Sequence, residues 1–146
     1  MKKYVNIAVS IAYASSIFYL SSQSSPPDPM KIGLLIQIYL TLKSLGLNFL
    51  VYPFYFAVKY PDKFYHILLY IAFGFTLYPA VRSTINRNPV LMSMVIGTLY
   101  GISDEIHQIF VPFRTASLLD LMADVLGLVI SQVIILVIIG VRDRIV

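Results

Sequence analysis

Residues 118–141 read LLDLMADVLGLVISQVIILVIIGV, and this stretch decides the fold. A bilayer span takes about 20 predominantly apolar residues, so a run of this length and character predicts a membrane helix over Leu118–Val141, closed by Arg142 and Arg144. Two carboxylates, Asp120 and Asp124, nevertheless stand in its opening turns. Insertion scales charge roughly 2.5–3.5 kcal/mol for an acidic or basic residue at a helix centre. Asp124, about two turns inside, is therefore expected to face protein or a wet cavity.

Working outward, two further apolar stretches read the same way. Phe64–Val81 is entered through Pro61-Asp62-Lys63 and closed by Arg82 and Arg87, and Val90–Phe110 precedes the turn that carries Arg114. An uncharged window from Tyr4 to Pro27 follows Lys2 and Lys3, with an apolar part ending near Leu20. Its basic start and small Ser21 and Ser22 suit a cleavable signal, whereas Tyr13, Phe18 and Tyr19 lengthen it toward a retained span. The polar, proline-stiffened Ser21–Pro29 is expected to be a loop.

Met30–Tyr60 is apolar and aromatic, but Lys43 and Pro53 interrupt it. The pieces are short for a span. Tyr52, Tyr55, Tyr60 and Tyr65 with Lys43 and Lys59 suit helices at headgroup level; a re-entrant hairpin is the rival reading. The expectation is an all-α, polytopic membrane helix bundle in one domain. It has about four transmembrane helices and an extra interfacial or re-entrant segment at residues 30–60.

Composition agrees. The 146 residues are 58% hydrophobic and 12% charged, against about 25% charged in soluble domains. A net charge of +4 reflects basic flanks rather than a nucleic-acid surface, because no Arg or Lys stripe is present. Lys2, Lys3, Arg82, Arg87, Arg142 and Arg144 mark one side, which predicts both termini in the cytoplasm. With no cysteine, disulfides, thiolate catalysis and thiolate-bound zinc are excluded. No repeat or glycine-rich phosphate loop occurs.

The polar residues then carry the functional argument. Asp62, Lys63 and His66 open one helix, Asp104, Glu105, His107 and Gln108 end the next, Arg114 lies in the turn, and Asp120 and Asp124 open the last. Consecutive spans are antiparallel, so all ten converge on one membrane face whichever way the chain is inserted. Asp62, His66 and Tyr70 repeat at i and i+4, as do Tyr100, Asp104 and Gln108, and Asp120 and Asp124, so each set forms one helix face. Gly74, Gly97, Gly101, Ala123 and Gly127 accompany them and permit close helix approach.

Lys63, Arg114 and protonated His66 are the natural partners of the buried acids. A polar plug that merely locks three helices is one reading. Five acids against two basic residues and one or two histidines exceed simple pairing, leaving charge for protons, a metal or a cationic ligand. Crowded carboxylates also raise one another's pKa, which suits general acid work. DEIHQ at 104–108 is not the zincin pattern, no metal ligand set is assigned, and no cofactor is specified. His107 reads as interfacial, Met92, Met94 and Met122 as packing, and Ser117 as the cap of the last helix.

PDKFYHILLYIAFG at 61–74 and LYGISDEIHQIFVPFRTASLLDLMADVLG at 99–127 resemble the VanZ-like family of bacterial membrane proteins, named for a teicoplanin-resistance accessory protein. The matching positions are Asp62, Lys63, His66, Tyr70, Gly74, Tyr100, Gly101, Glu105, Gln108, Phe110, Pro112, Arg114, Ser117, Asp120 and Gly127. Two departures matter: Phe113 stands where glycine is usual, and Asp124 where asparagine is usual. The resemblance implies a multi-span protein of the cytoplasmic membrane with the motif on its outer face. It brings no settled reaction, and antibiotic resistance would be an analogy.

Three functions follow. In the leading one the outer pocket binds a membrane lipid or lipid-linked envelope precursor, with Lys63 and Arg114 meeting phosphate or carboxylate. Asp62, Tyr70, Tyr100, Asp104, Gln108, Ser117 and Asp124 complete the ligand-binding set. In the second, an intramembrane enzyme uses Glu105 for proton transfer, His66 as its partner and Asp120 as the orienting or metal-binding group. A proton-coupled carrier is third, disfavoured because Phe75–Val81 and Val129–Val141 are almost wholly apolar.

Overall fold

The computed structural model describes residues 2–24, 33–85 and 87–145. It contains six helices: α1 (Lys2–Ser21), α2 (Gly33–Ser44), α3 (Asn48–Lys59), α4 (Pro61–Arg82), α5 (Pro89–Gln108) and α6 (Leu118–Ile145). No strand occurs among the described residues. Most of the loop expected over Ser21–Pro29, and Lys31, lie outside the described residues.

α1, α4 and α6 are long and apolar enough to cross a membrane. α5 has the length, 20 residues, but its acidic last turns lower its hydropathy. The contacts nevertheless make it the return stroke. His66 meets Asp124, and Tyr70 meets Gly127, so α4 and α6 run parallel. Gly97 lies against Leu128 and Gly101 against Asp124, so α5 runs antiparallel to both. α1 is antiparallel to α4, with Tyr13 donating to the Leu69 carbonyl and Asn6 to that of Pro79. The expected helical membrane bundle is thus present, with the two ends of the chain on the same face.

Inside a bilayer, apolar side chains gain little by leaving lipid for a neighbouring helix, so close packing and polar contacts must hold the bundle. Glycine makes the α4–α6 seam possible. A Cβ at Gly127 would stand 2.5 Å from the Ile67 carbonyl oxygen and 3.0 Å from the Ile71 nitrogen, both immovable backbone. A core of Ile17, Tyr70, Phe73, Leu77, Val81 and Leu128 lies beside this seam, with Met92 and Met94 packed against it. Met122 departs from the packing expectation: it is exposed and lines a groove, because its position on α6 falls off the seam.

α2 and α3 form a helical hairpin turned at Gly46, whose φ of 71° suits glycine. Each helix has 12 residues, or about 18 Å at 1.5 Å per residue, short of the about 30 Å hydrocarbon core. α3 docks on α4, and Tyr60 and Pro61 carry the chain directly from one to the other. Lys59 sits over the rings of Tyr55 and Tyr60.

Gly127→Ala is expected to push α6 off α4 and to lower stability by about 1–3 kcal/mol, the usual result of overpacking. Thermal unfolding of the purified protein in detergent checks this; an unchanged midpoint would contradict the close seam.

Candidate functional site

The start of α4, the end of α5 and the start of α6 meet at one end of the bundle, as antiparallel connectivity requires. His66, Asp104, Glu105, Gln108, Asp120 and Asp124 are all buried there. The deepest link joins α4 to α6: His66 Nδ1 and Asp124 Oδ1 are 2.8 Å apart. Asp124, Tyr70 and Gln108 are among the most deeply enclosed side chains of the chain.

Two chains of polar contacts surround this pair. In the first, Ser21 Oγ at the end of α1 donates to Asp104 Oδ2 at 2.7 Å, and Gln108 Nε2 donates to the same oxygen at 3.1 Å. Arg114 Nη2 donates to Gln108 Oε1 at 2.9 Å. In the second, the Ser117 backbone N–H donates to Glu105 Oε2 at 2.7 Å, and Ser117 Oγ caps α6 by accepting from the Asp120 N–H at 3.3 Å. Asp120 pairs with Lys63, which also lies 3.2 Å from Asp62 Oδ2. Gln108 joins the chains through a 3.3 Å contact to Glu105 Oε1.

One of these pairings departs from the expectation and another agrees with it. Asp104, for which Lys63, Arg114 or His66 was the expected partner, is held by neutral donors, Ser21 and Gln108, because α1 closes that side. Asp124 does meet His66, one of the partners expected for it, while Asp120, one turn earlier, meets the ammonium of Lys63. Tyr100 leaves the cluster: its hydroxyl donates to the Ala14 carbonyl at 2.6 Å. Asp62 stays exposed at the rim.

Ser21 and Ser22 were legible only as small residues at the end of an apolar run. In the fold they are the contribution of α1 to the site, with Ser22 Oγ 3.0 Å from His107 Nε2 and Phe18 stacked on the His107 ring. The half of the bundle away from the cluster buries Ser93, Ser131 and Gln132. Among the described residues it buries no acidic, basic or histidine side chain, and so offers no ionisable path.

Arg114 is presented by the turn between α5 and α6. Phe113, at φ 65°, occupies the left-handed region that glycine adopts freely and other residues enter at roughly 1–2 kcal/mol. The turn is therefore made without the glycine, at a strained residue whose ring is 97% exposed. Arg114 forms no ion pair among the described residues, and four of its five N–H donors are free of hydrogen bonds there.

Beside the cluster, α3, α4 and α6 enclose an apolar groove of about 780 Å³. Phe56, Tyr60 and Ile67 line one wall, and Leu118, Met122 and Val129 the other, with Lys63 at its polar end. Residues 118–129 cover about 16 Å of helix axis, roughly one leaflet of a bilayer core about 30 Å thick.

Comparison with known proteins matches the chain over residues 6–139 to a family described as VanZ/LLP1. No curated protein and no solved structure matches significantly.

Phe113→Gly is expected to relieve the turn and raise stability by up to about 1 kcal/mol, the left-handed strain less the added freedom of glycine when unfolded. Denaturation in detergent checks it, and a clear loss of stability would contradict the assignment of strain to this position.

Proposed function

The chain belongs to the VanZ-like family, and from that premise we propose that it binds an anionic or glycosylated envelope lipid at the outer face of a bacterial cytoplasmic membrane. The observation that carries this reading is the groove between α3, α4 and α6. Its volume of about 780 Å³ falls in the about 300–1,000 Å³ range of ligand pockets. Its length matches one acyl chain entering from the adjacent leaflet, and its polar end opens at Lys63.

The headgroup would then lie over the cluster. Arg114, with donors to spare in a planar fork, is the group suited to phosphate or carboxylate. Lys63 contributes less net charge, because Asp62 and Asp120 already face it. The excess of carboxylates on this face repels a bare anion and so favours a headgroup that brings hydroxyl or amine donors along with its phosphate. Holding such a lipid would change what the cell surface presents, and through that its susceptibility to glycopeptide antibiotics.

The basic residues Lys2, Lys3, Arg82, Arg87, Arg142 and Arg144 lie at the opposite end of the helices from the cluster, which supports the outward orientation. One observation favours a second reading, an intramembrane enzyme: Asp124 fixes the His66 ring through Nδ1, as an orienting carboxylate does in acid–base sites. Glu105 stands in the same buried group as its proton-transfer partner.

A single experiment addresses both. Purified protein in nanodiscs is titrated with a lipid-linked envelope precursor and with an anionic phospholipid, and the lipid is recovered for mass analysis. Binding with unaltered lipid, weakened at least about tenfold in the Lys63→Ala, Arg114→Ala pair, is expected, since charge-assisted hydrogen bonds are worth about 1.5–3 kcal/mol each. Equal affinity in that pair would overturn the binding reading, and an altered headgroup, lost in Glu105→Gln, would establish the second.

A further inference from the structure

We propose that His66, Glu105 and Asp124 form a binding site for one divalent transition-metal cation. Each residue comes from a different helix, α4, α5 and α6, and one ligand atom from each lies within 4.8 Å of the others. All three side chains are buried. Ligands around a zinc-sized ion at about 2.0–2.2 Å stand roughly 3–4 Å from one another, a contraction within reach of small side-chain rotations.

Two unpartnered oxygens point to the same place. Asp124 is fully enclosed, and while its Oδ1 meets His66, its Oδ2 has no partner among the described residues. The hydroxyl of Tyr70, equally enclosed and outside the acidic group, has none either. A Cβ built on Gly101 would lie 3.2 Å from Asp124 Oδ2 and 3.4 Å from the Tyr70 oxygen, so the missing side chain of Gly101 leaves both facing one spot. Buried polar groups without partners are rare and usually mark a ligand, ion or water. A small cavity of about 10 Å³, bounded by His66, Tyr70, Asp104 and Arg114 together with apolar residues of α1 and α4, lies on the other side of His66 and Tyr70 and has room for about one water.

Charge leads to the same site. Asp104, Glu105, Asp120 and Asp124 are buried together; Lys63 pairs with Asp120 and Asp62, while Arg114 reaches the group only through the neutral amide of Gln108, so that among the described residues Asp104 and Glu105 touch no cationic side chain. Uncompensated buried carboxylates are strongly unfavourable; a divalent ion between Glu105 and Asp124 neutralises both. The second group of possible ligands, Asp62, His66 and Asp120, is the poorer one, because the Lys63 ammonium already stands between its two carboxylates. One imidazole and two carboxylates in a chain without cysteine suit Zn²⁺ or Mn²⁺ rather than a soft, thiolate-seeking ion.

The proposal does not rest on lipid binding, since the probe is the metal alone. Chelator-treated full-length protein in detergent is titrated calorimetrically with Zn²⁺ and with Mn²⁺, and bound metal is quantified after dialysis. One equivalent is expected, with affinity falling at least about tenfold in the near-isosteric Asp124→Asn. Glu105→Gln carries the same test from a different helix, with helical content and unfolding midpoint recorded for each variant. Absence of saturable binding, or undiminished affinity in both variants, overturns the proposal. So does loss of binding in Asp62→Asn with retention in Asp124→Asn, which would move the ion to the outer group.

Discussion

A carboxylate that lipid cannot solvate must find its partner inside the protein, and in this chain that requirement falls on Asp124. Its contact with His66, 2.8 Å across the seam of α4 and α6, is possible only if two parallel helices approach to backbone contact. Gly127 supplies the approach, and Gly101 on α5 leaves the space above the carboxylate. The remaining contacts follow from this alignment. Asp120, one turn earlier on α6, meets Lys63, one turn earlier on α4, and Ser117 reaches Glu105.

The cluster is therefore a joint between the helices and, in the reading proposed above, also a site. Ser21, Asp104, Gln108 and Arg114 tie α1 and α5 to the turn before α6, and hydrogen bonds of this kind hold helices where apolar packing gives little drive. A joint alone would leave its polar groups satisfied, however. Among the described residues Asp124 Oδ2, Asp104 Oδ1 and the Tyr70 hydroxyl have no partner and Arg114 keeps free donors, and an apolar groove runs from Lys63 along α6. These features exceed what a polar plug needs, and they are the ones on which the proposed lipid site rests.

Much of this was legible in the sequence because few physical rules govern a membrane chain. Apolar length located α1, α4 and α6, antiparallel connectivity gathered the charged residues at one end, and i, i+4 spacing placed His66 with Tyr70 and Asp120 with Asp124 on shared faces. Ser117 was readable as a cap from its type alone. What could not be read was pairing between helices, which depends on rotation about each axis. Spacing permits His66 to meet Asp120 or Asp124 equally, and only the Gly127 seam selects Asp124. The contacts of Ser21 and Tyr100 were hidden for a related reason: α1 has no charge inside its apolar run to announce its neighbours, so the contact of Ser21 with Asp104 and that of Tyr100 with the Ala14 carbonyl left no pattern. Asp104 consequently lacks the cation it was expected to have. The groove arose from α3 docking on α4 across a gap from α6, and the interrupted pattern of residues 30–60 could not place that helix.

The central claim is that this end of the bundle is a lipid-sized binding site. A density map of the protein purified from native membrane tests it most directly. The account requires elongated density along α3, α4 and α6 from Lys63 to Val129, ending in a compact headgroup beside Arg114. A map in which α3 lies closed against α6, leaving no groove and no density beside Arg114, would contradict it.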